Sequence, residues 1–322
     1  MNYKYDATIL ITTKNRREDL RAAVDSATKQ RGTIEVLVVD DGSTDGTAEM
    51  LRTEFPNVKC YRSEISEGYI AQRNRGAMMA SSPVVFSIDD DAVFTSPDTV
   101  YQSLKLFDDK RIGALALPYI DVNRNGAIRQ APLPEHEAYL TSSYVGTAHA
   151  LKRELFLRLG GYRTLFVHQG EEMDYCLRML NAGYVVRIGN TEPIHHFESP
   201  KRDLTRQSFY SARNSVLHAW LNIPMPECIG HIIGVIFKII VFGFKYGHPW
   251  MISRGSFYGL KDIVTFRKYR EPVSHQAYRL NRMLKQGTVK TMQEVERYLP
   301  KNTGSNFKNA DFKSVNEVRY EI

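Results

Sequence analysis

Three clusters of carboxylates, far apart in the chain, have the residue types and spacings that can do chemistry. In VVDDGSTDGT, Asp40 and Asp41 follow an apolar run directly, and Gly42 and Gly46 permit a tight turn. Carboxylates placed there can accept hydrogen bonds from a base N–H or a ribose hydroxyl. Alternatively, Asp40, Ser43 and Asp45 only cap the helix that follows. In SIDDDAV, Asp89, Asp90 and Asp91 stand side by side and raise one another's pKa unless a cation or hydrogen-bond donors compensate. Mg2+ takes one or two carboxylates together with substrate phosphates, whereas a solvated loop or a cap before Ser96 needs no ion. In GEEMDYCLRMLNAGY, Glu171, Glu172 and Asp174 open a helix whose dipole favours acids in its first turn. One of them can equally face a crevice as a general base toward an acceptor hydroxyl. Asp174 and Arg178 are spaced for an i,i+4 ion pair, a structural role. His195 and His196 follow the run YVVRI, where either can complete a metal's coordination or simply pack.

The elements that must position these groups alternate in type. ATILIT, IEVLVV, VKCYR and PVVFSI are strand-like, and 17–30, 44–55 and 69–80 are helix-like, the order of parallel strands joined by crossover helices. Continuous apolar runs suit strands covered on both faces. Ligands of such sheets bind beyond the carboxyl ends of the strands, where the first two acidic clusters fall. Residues 119–134, rich in Asn, Gly and Pro, predict a loop or short hairpin. Helices are predicted over 147–159, ending at Gly160-Gly161, and over 171–182, stopped by Gly183. YVVRI then gives one more strand.

Six pieces in this order, ILITTKNR, VVDDGSTDGT, GYIAQRNRGAMMASSPVVFSIDDDA, GTAHALKRELFLRLGGY, GEEMDYCLRMLNAGY and His195 with Arg213-Asn214, resemble glycosyltransferase family 2 over roughly residues 7–214. The resemblance implies an α/β chain with the GT-A fold in residues 1–215, and the change to apolar and basic character beyond Arg213 makes 216–322 a helical, partly apolar extension. The resemblance also implies an inverting transfer of a sugar from a nucleotide-diphosphate donor to a hydroxyl of a glycan or lipid-linked acceptor, as in polysaccharide biosynthesis, assisted by Mn2+ or Mg2+. By the same resemblance Thr12, Asn15 and Asp41 line the nucleobase pocket, and Arg73 and Asn74 lie beside the donor. Asp89 to Asp91 match the D-x-D motif: Asp91 holds the metal with His195, and Asp89 or Asp90 contacts the ribose or sugar. Gly146 to Ala148 matches the acceptor-side segment. Glu172 matches the catalytic base, usually an aspartate, with Glu171 as the other candidate, and Arg213 assists at the donor. A sugar-nucleotide nucleotidyltransferase would open with a Gly-rich phosphate loop after the first strand, where this chain reads ITTKNRRED. A catalytically inactive scaffold of the same fold is the non-enzymatic alternative.

The bulk composition fits a folded chain: 322 residues, 43% hydrophobic and 25% charged, argue against wholesale disorder. A net charge of +7 favours an anionic partner, although no interleaved aromatic and basic platform points to nucleic acid. Cys60, Cys176 and Cys228 have no C-x-x-C spacing, which argues against a disulfide framework and a zinc site. MNYKYDATILITTKNR contains no long apolar core, so no secretory signal is expected and the reading is cytoplasmic. Residues 229–246 are strongly apolar yet carry Lys238 and Lys245, and this run falls short of the roughly 20 residues of a comfortable span. A surface-lying amphipathic helix, a crossing and a buried helix therefore compete. The expectation is a peripheral attachment to the inner face of the cell membrane, near a lipid-linked acceptor. The polar tail after Pro300 is expected to fray.

Overall fold

Ile9 and Ile11 point to one side of the first strand and Leu10 to the other, and all three are buried. A strand apolar on both faces must lie inside a sheet with cover above and below. The computed structural model shows this arrangement. It describes residues 3–300 except 125, 132–137, 199–202, 247 and 289, so the tail expected to fray lies outside the described residues.

The chain begins with β1 (Ala7–Thr13), α1 (Arg17–Thr28), β2 (Ile34–Asp40), α2 (Thr47–Glu54), β3 (Lys59–Arg62), α3 (Tyr69–Met79) and β4 (Val84–Asp89). It continues through β5 (Ala92–Val93), α4 (Thr99–Leu104), β6 (Ile112–Ala116), β7 (Tyr119–Asp121), β8 (Ile128–Arg129), β9 (Ala138–Thr141), β10 (Ala148–Lys152) and α5 (Arg153–Arg158). After α6 (Glu171–Asn181), β11 (Val185–Gly189) and β12 (Ile194–His196) the rest is helical: α7 (Leu204–Asn222), α8 (Glu227–Tyr246), α9 (Pro249–Thr265), α10 (His275–Gln286) and α11 (Met292–Glu296).

Among the described residues, eight strands form one sheet in the order β3-β2-β1-β4-β10-β6-β11-β9. β1 runs parallel to β2 and β4, β2 to β3, and β6 to β11, whereas β10 and β9 run antiparallel to their neighbours. The register sets Thr13 opposite Asp40 and Thr12 opposite Asp89, so three carboxyl ends meet on one rim. Leu20 and Val24 of α1 cover one face with Ile9, Ile11, Val38 and Phe86. Leu10, Leu37, Val39 and Val85 pack under Ala80 on the other. A smaller sheet, β5-β12-β7-β8, stands beside that rim, and its β7–β8 pair is the hairpin expected within 119–134.

One predicted element differs. The helix expected over 147–159 is strand β10 followed by the short helix α5. Ala148, His149 and Ala150 fill the slot between β4 and β6, and sheet pairing on both sides outweighs their helical propensity.

Helix α7 runs through residues 215–216, and α9 lies along it. Gly255, Ser256 and Gly259 are buried on α9's inner side, and a Cβ at Gly259 would stand 2.8 Å from the Arg213 carbonyl oxygen. Leu280, Leu284, Val295 and Leu299 rejoin the core with Leu180. Among the described residues no helix is long and apolar enough to cross a membrane.

A buried charged cluster joins the sheet region to these helices. Asp174 accepts hydrogen bonds from Arg163 at 2.9 Å, from Asn222 at 2.8 Å and from Arg178 at 2.9 Å, the last being the expected i,i+4 pair. Burial alone would raise its pKa, but Arg163 and Arg178 win and hold it down to about 2. Because the folded value lies below the unfolded one, near 3.9, this contribution is complete above about pH 4 and is lost as pH falls toward about 2. Asp174→Asn, which removes the buried carboxylate shared by Arg163 and Arg178, is expected to lower the unfolding free energy by about 3 kcal/mol at neutral pH. Urea denaturation across a pH series should show the gap to the parent closing between about pH 4 and 2.

Candidate active site

Asp89, Asp90 and Asp91 leave the end of β4 with alternating directions, so the outer two share a side and the middle one turns away. Asp90 is held from below: its carboxylate accepts from the Thr13 hydroxyl at 2.8 Å and from Arg16 at 2.9 Å. Burial, opposed by Arg16 and reinforced by Asp91, pushes its pKa up to about 7. Asp91 accepts from Arg16 at 2.8 Å through one oxygen. Its other oxygen, Oδ1, is buried without a hydrogen bond, although His196 Nε2 lies 3.2 Å away in ion-pair contact. Burial works against ionisation of Asp91, yet His196 and Arg16 hold it below the ordinary aspartate range.

The smaller sheet supplies that histidine. Pairing sets His196 opposite Ala92 of β5 and Asp121 of β7, and His196 Nδ1 is 2.6 Å from Asp121 Oδ1. Burial disfavours the imidazolium, but Asp91 and Asp121 push its pKa up to about 9. One ligand atom each on Asp89, Asp91 and His196 all lie within 4.8 Å of one another. Two carboxylates and an imidazole, with the Asp91 Oδ1 in contact with that imidazole, form a donor set that fits a divalent ion such as Mn2+ or Mg2+.

Arg73, on the buried face of α3, links this group to the start of α6. It is 5% exposed and donates to Asp89 at 2.6 Å, to the Gly146 carbonyl at 3.1 Å and to Glu171 at 3.4 Å. Glu171 is wholly buried and also accepts from the Tyr69 hydroxyl at 3.3 Å. Burial and then Glu172 raise its pKa well above the carboxylate range, against the pull of Arg73. Glu172 is half-buried. Burial raises its pKa too, with Arg73 opposing and Asp89 adding to the rise. Its Oε1 lies so close to Gly146 that a Cβ at that position would collide with it, and would stand 2.8 Å from an Arg73 nitrogen. A side chain at Gly146 would therefore displace the Glu172 carboxylate or the Arg73 guanidinium.

The loop before α6 carries two non-glycine residues with positive φ, Val167 at 61° and Gln169 at 66°, a strained path held by its neighbours. Asn214 donates to the carbonyls of Phe166, His168 and Gln169 at 2.7–2.8 Å. The Tyr69 hydroxyl accepts from Gln169 N at 2.7 Å.

The structure thus brings Asp89, Asp91, Arg73, Glu171 and Glu172 together, with Thr12 and Asn15 on the same rim. Asn15 lies at φ 54° and is tied to Thr44 N at 2.7 Å. Other expected contributors are held by partners within the protein. His195 points to the opposite side of β12 from His196, and His196 stands with the acids; strand alternation decides between these neighbours. Asp41 accepts from Ser66, Glu67 N, Gly68 N and Gln72 at 2.5–3.0 Å, so its carboxylate fixes the loop that enters α3. Asn74 clips both backbone groups of Tyr162 at 2.8 Å. Arg213 donates to Asp262 of α9 at 2.6 Å and to the Leu165 carbonyl at 2.7 Å, bracing the loop before α6. Arg16 and Asp121 escaped the sequence reading. Arg16 was legible as a base one residue past Asn15, whereas Asp121 has no local signal because only strand register brings it to His196.

Comparison with known proteins matches residues 8–167 to the family described as Glycosyl transferase family 2. Over those residues the chain belongs to glycosyl transferase family 2. A curated relative, the pre-mycofactocin glycosyltransferase of Mycobacterium tuberculosis, is 30% identical over 304 residues, covering 81% of this chain and 61% of its own length. The chain thus spans somewhat under two-thirds of that relative's length. Among solved structures, the mannosyltransferase PcManGT from Pyrobaculum calidifontis, in complex with GDP-Man and Mn2+, superposes with a TM-score of 0.55 at 20% identity, over 98% of this chain and 86% of its own. S. aureus TarS 1-349 gives a TM-score of 0.61 at 15% identity over 91% of both chains. These likenesses establish the GT-A fold, with its mostly parallel sheet and a helical C-terminal region.

Arg73 and Arg16 both pair with acids, but only Arg73 is buried. Arg73→Met, which leaves Glu171 buried without its cation, is expected to cost about 3 kcal/mol of stability. Arg16→Met, at a site with 30% side-chain exposure, should cost under about 1 kcal/mol. Thermal unfolding of the two variants checks the contrast.

Proposed function

We propose that this chain transfers a sugar from a nucleotide-diphosphate donor to a hydroxyl of a glycan or lipid-linked acceptor, with inversion at the anomeric carbon. Family membership supports the reaction class, and one observation carries the assignment of parts: Arg73 ties Asp89 of the rim to Glu171, the first residue of α6. The donor's diphosphate then belongs beside Asp89, Asp91 and His196, and the acceptor beside Gly146 and Glu172.

Asp89, Asp91 and His196 would hold a divalent cation, which neutralises charge developing on a diphosphate leaving group. Glu172 takes the acceptor's proton as its oxygen attacks the anomeric carbon and the nucleoside diphosphate departs on the opposite side. Glu172 is the one of the pair with solvent access, and its raised pKa strengthens it as a base. Glu171, wholly buried, keeps Arg73 in place. Asp121 orients the His196 ring through its Nδ1 contact, the usual service of a carboxylate behind a metal-binding imidazole. Thr12 and Asn15, at the end of β1, face the nucleoside side of the rim.

The test is a panel of nucleotide-diphosphate sugars incubated with Mn2+ or with a chelator, following release of nucleoside diphosphate. Turnover that requires the cation is expected, and absence of turnover with every donor and acceptor class would remove the proposal. Glu172→Gln should lower transfer by about 100-fold or more, the scale of a lost general base, with the unfolding temperature retained. Asp121→Ala should weaken Mn2+ binding, measured by calorimetric titration in the presence of a nucleoside diphosphate, by about 10-fold or more.

A further inference from the structure

Residues 225–290 hold eleven Lys or Arg against three acids. That exceeds the net +7 of the whole chain, so the surplus sits here and the remainder is close to neutral. The same segment has the most exposed apolar surface. On α8, Ile229, Ile233, Phe237 and Val241 are 52–70% exposed, and their four-residue spacing keeps them on one face.

On α9 the inner side packs its small residues against α7. The outer side alternates apolar and basic groups at steps of three or four: Trp250, Arg254, Phe257, Lys261 and Val264. Trp250 is 75% exposed and Phe257 66%. Arg254 and Lys261 lie over the Tyr258 ring at 5.7 and 5.9 Å, with their charges at the surface. The single acid of α9, Asp262, is turned inward to Arg213.

We propose that the outer faces of α8 and α9 dock on an anionic lipid bilayer, lying in the headgroup plane with the apolar stripes beneath it. An exposed apolar stripe flanked by cations is the pattern that binds such surfaces. Charge decides between the occupants. A second copy joined through the same patch would set one basic face against another. The tail over 301–322 holds four basic residues against three acids and offers no compensating charge. A bilayer rich in acidic lipid supplies both the negative charge and the apolar medium. This inference does not rest on the sugar-transfer reading.

The full chain is mixed with vesicles of phosphatidylcholine alone or with about one-third phosphatidylglycerol, then sedimented, while tryptophan emission is recorded. Partitioning at least about tenfold stronger into the anionic vesicles is expected, weakening in high salt, with a blue shift that Trp250→Ser abolishes. Phe237→Asp and, separately, Arg254→Glu with Lys261→Glu should each reduce partitioning about tenfold. All four positions are exposed, so the unfolding temperature should hold; if Phe237→Asp fails to fold, the charge-reversal variant still decides. Equal recovery in the supernatant with both vesicle types would overturn the proposal. So would a light-scattering dimer that Phe237→Asp dissolves, since that assigns the face to a second copy.

Discussion

Crowding of negative charge at one end of the sheet is the constraint to which the rest of the site answers. Asp89, Asp90, Asp91, Glu171 and Glu172 converge where burial already penalises the ionised form, and like charges at short range compound that penalty. Arg73, deeply buried, and Arg16, at the mouth, supply the permanent positive charges. Two guanidinium groups cannot balance five carboxylates. The protein absorbs the excess by raising the pKa of Asp90, Glu171 and Glu172 and, while no ion is bound, by favouring the imidazolium form of His196, which gives up a proton when its ring nitrogen takes a metal. The charge that remains is concentrated at Asp89 and Asp91, where a divalent ion would relieve it.

Holding the acids there requires three separate pieces of backbone. Parallel pairing of β1 with β2 and β4 brings the rim together, and β12, paired to β5 and β7, delivers His196. The third piece, the strained loop before α6, sets the depth of Glu172. Asn214 and the Tyr69 hydroxyl both hold that loop, and Gly146 leaves the space into which the Glu172 carboxylate reaches.

Much of this was legible in the sequence because the signals are local. Apolar runs ending in acids name strands and their carboxyl ends together, and first-turn acids before an amphipathic stripe name α6. What failed depended on partners distant in sequence. Residues 147–159 have helical composition, yet the gap between β4 and β6 takes Ala148 to Lys152 as a strand. The choice between His195 and His196 turns on which side of β12 faces Asp91, and no neighbouring residue encodes that. Asp41, Asn74 and Arg213 are polar residues in motif positions, and each proved to be committed to backbone or ion-pair partners of its own. A motif identifies which residues matter, but only the partner set shows whether a side chain points at a ligand or holds up the residue that does.

Arg213 also connects two regions that would otherwise be treated apart. Its guanidinium reaches the Leu165 carbonyl on one side, at the base of the loop before α6, and Asp262 of α9 on the other. The close backbone approach at Gly255 and Gly259 locks α9 along α7, and Asn214, the next residue of α7, holds the same loop. One helix therefore fixes both the depth of Glu172 and the direction in which the basic, apolar face of α9 points. If that face rests on a bilayer, the acceptor side of the site stands at a set orientation to the lipid surface, because α7 leaves little freedom for the two to turn independently. A lipid-linked acceptor would then meet Glu172 by diffusion within the plane of the membrane.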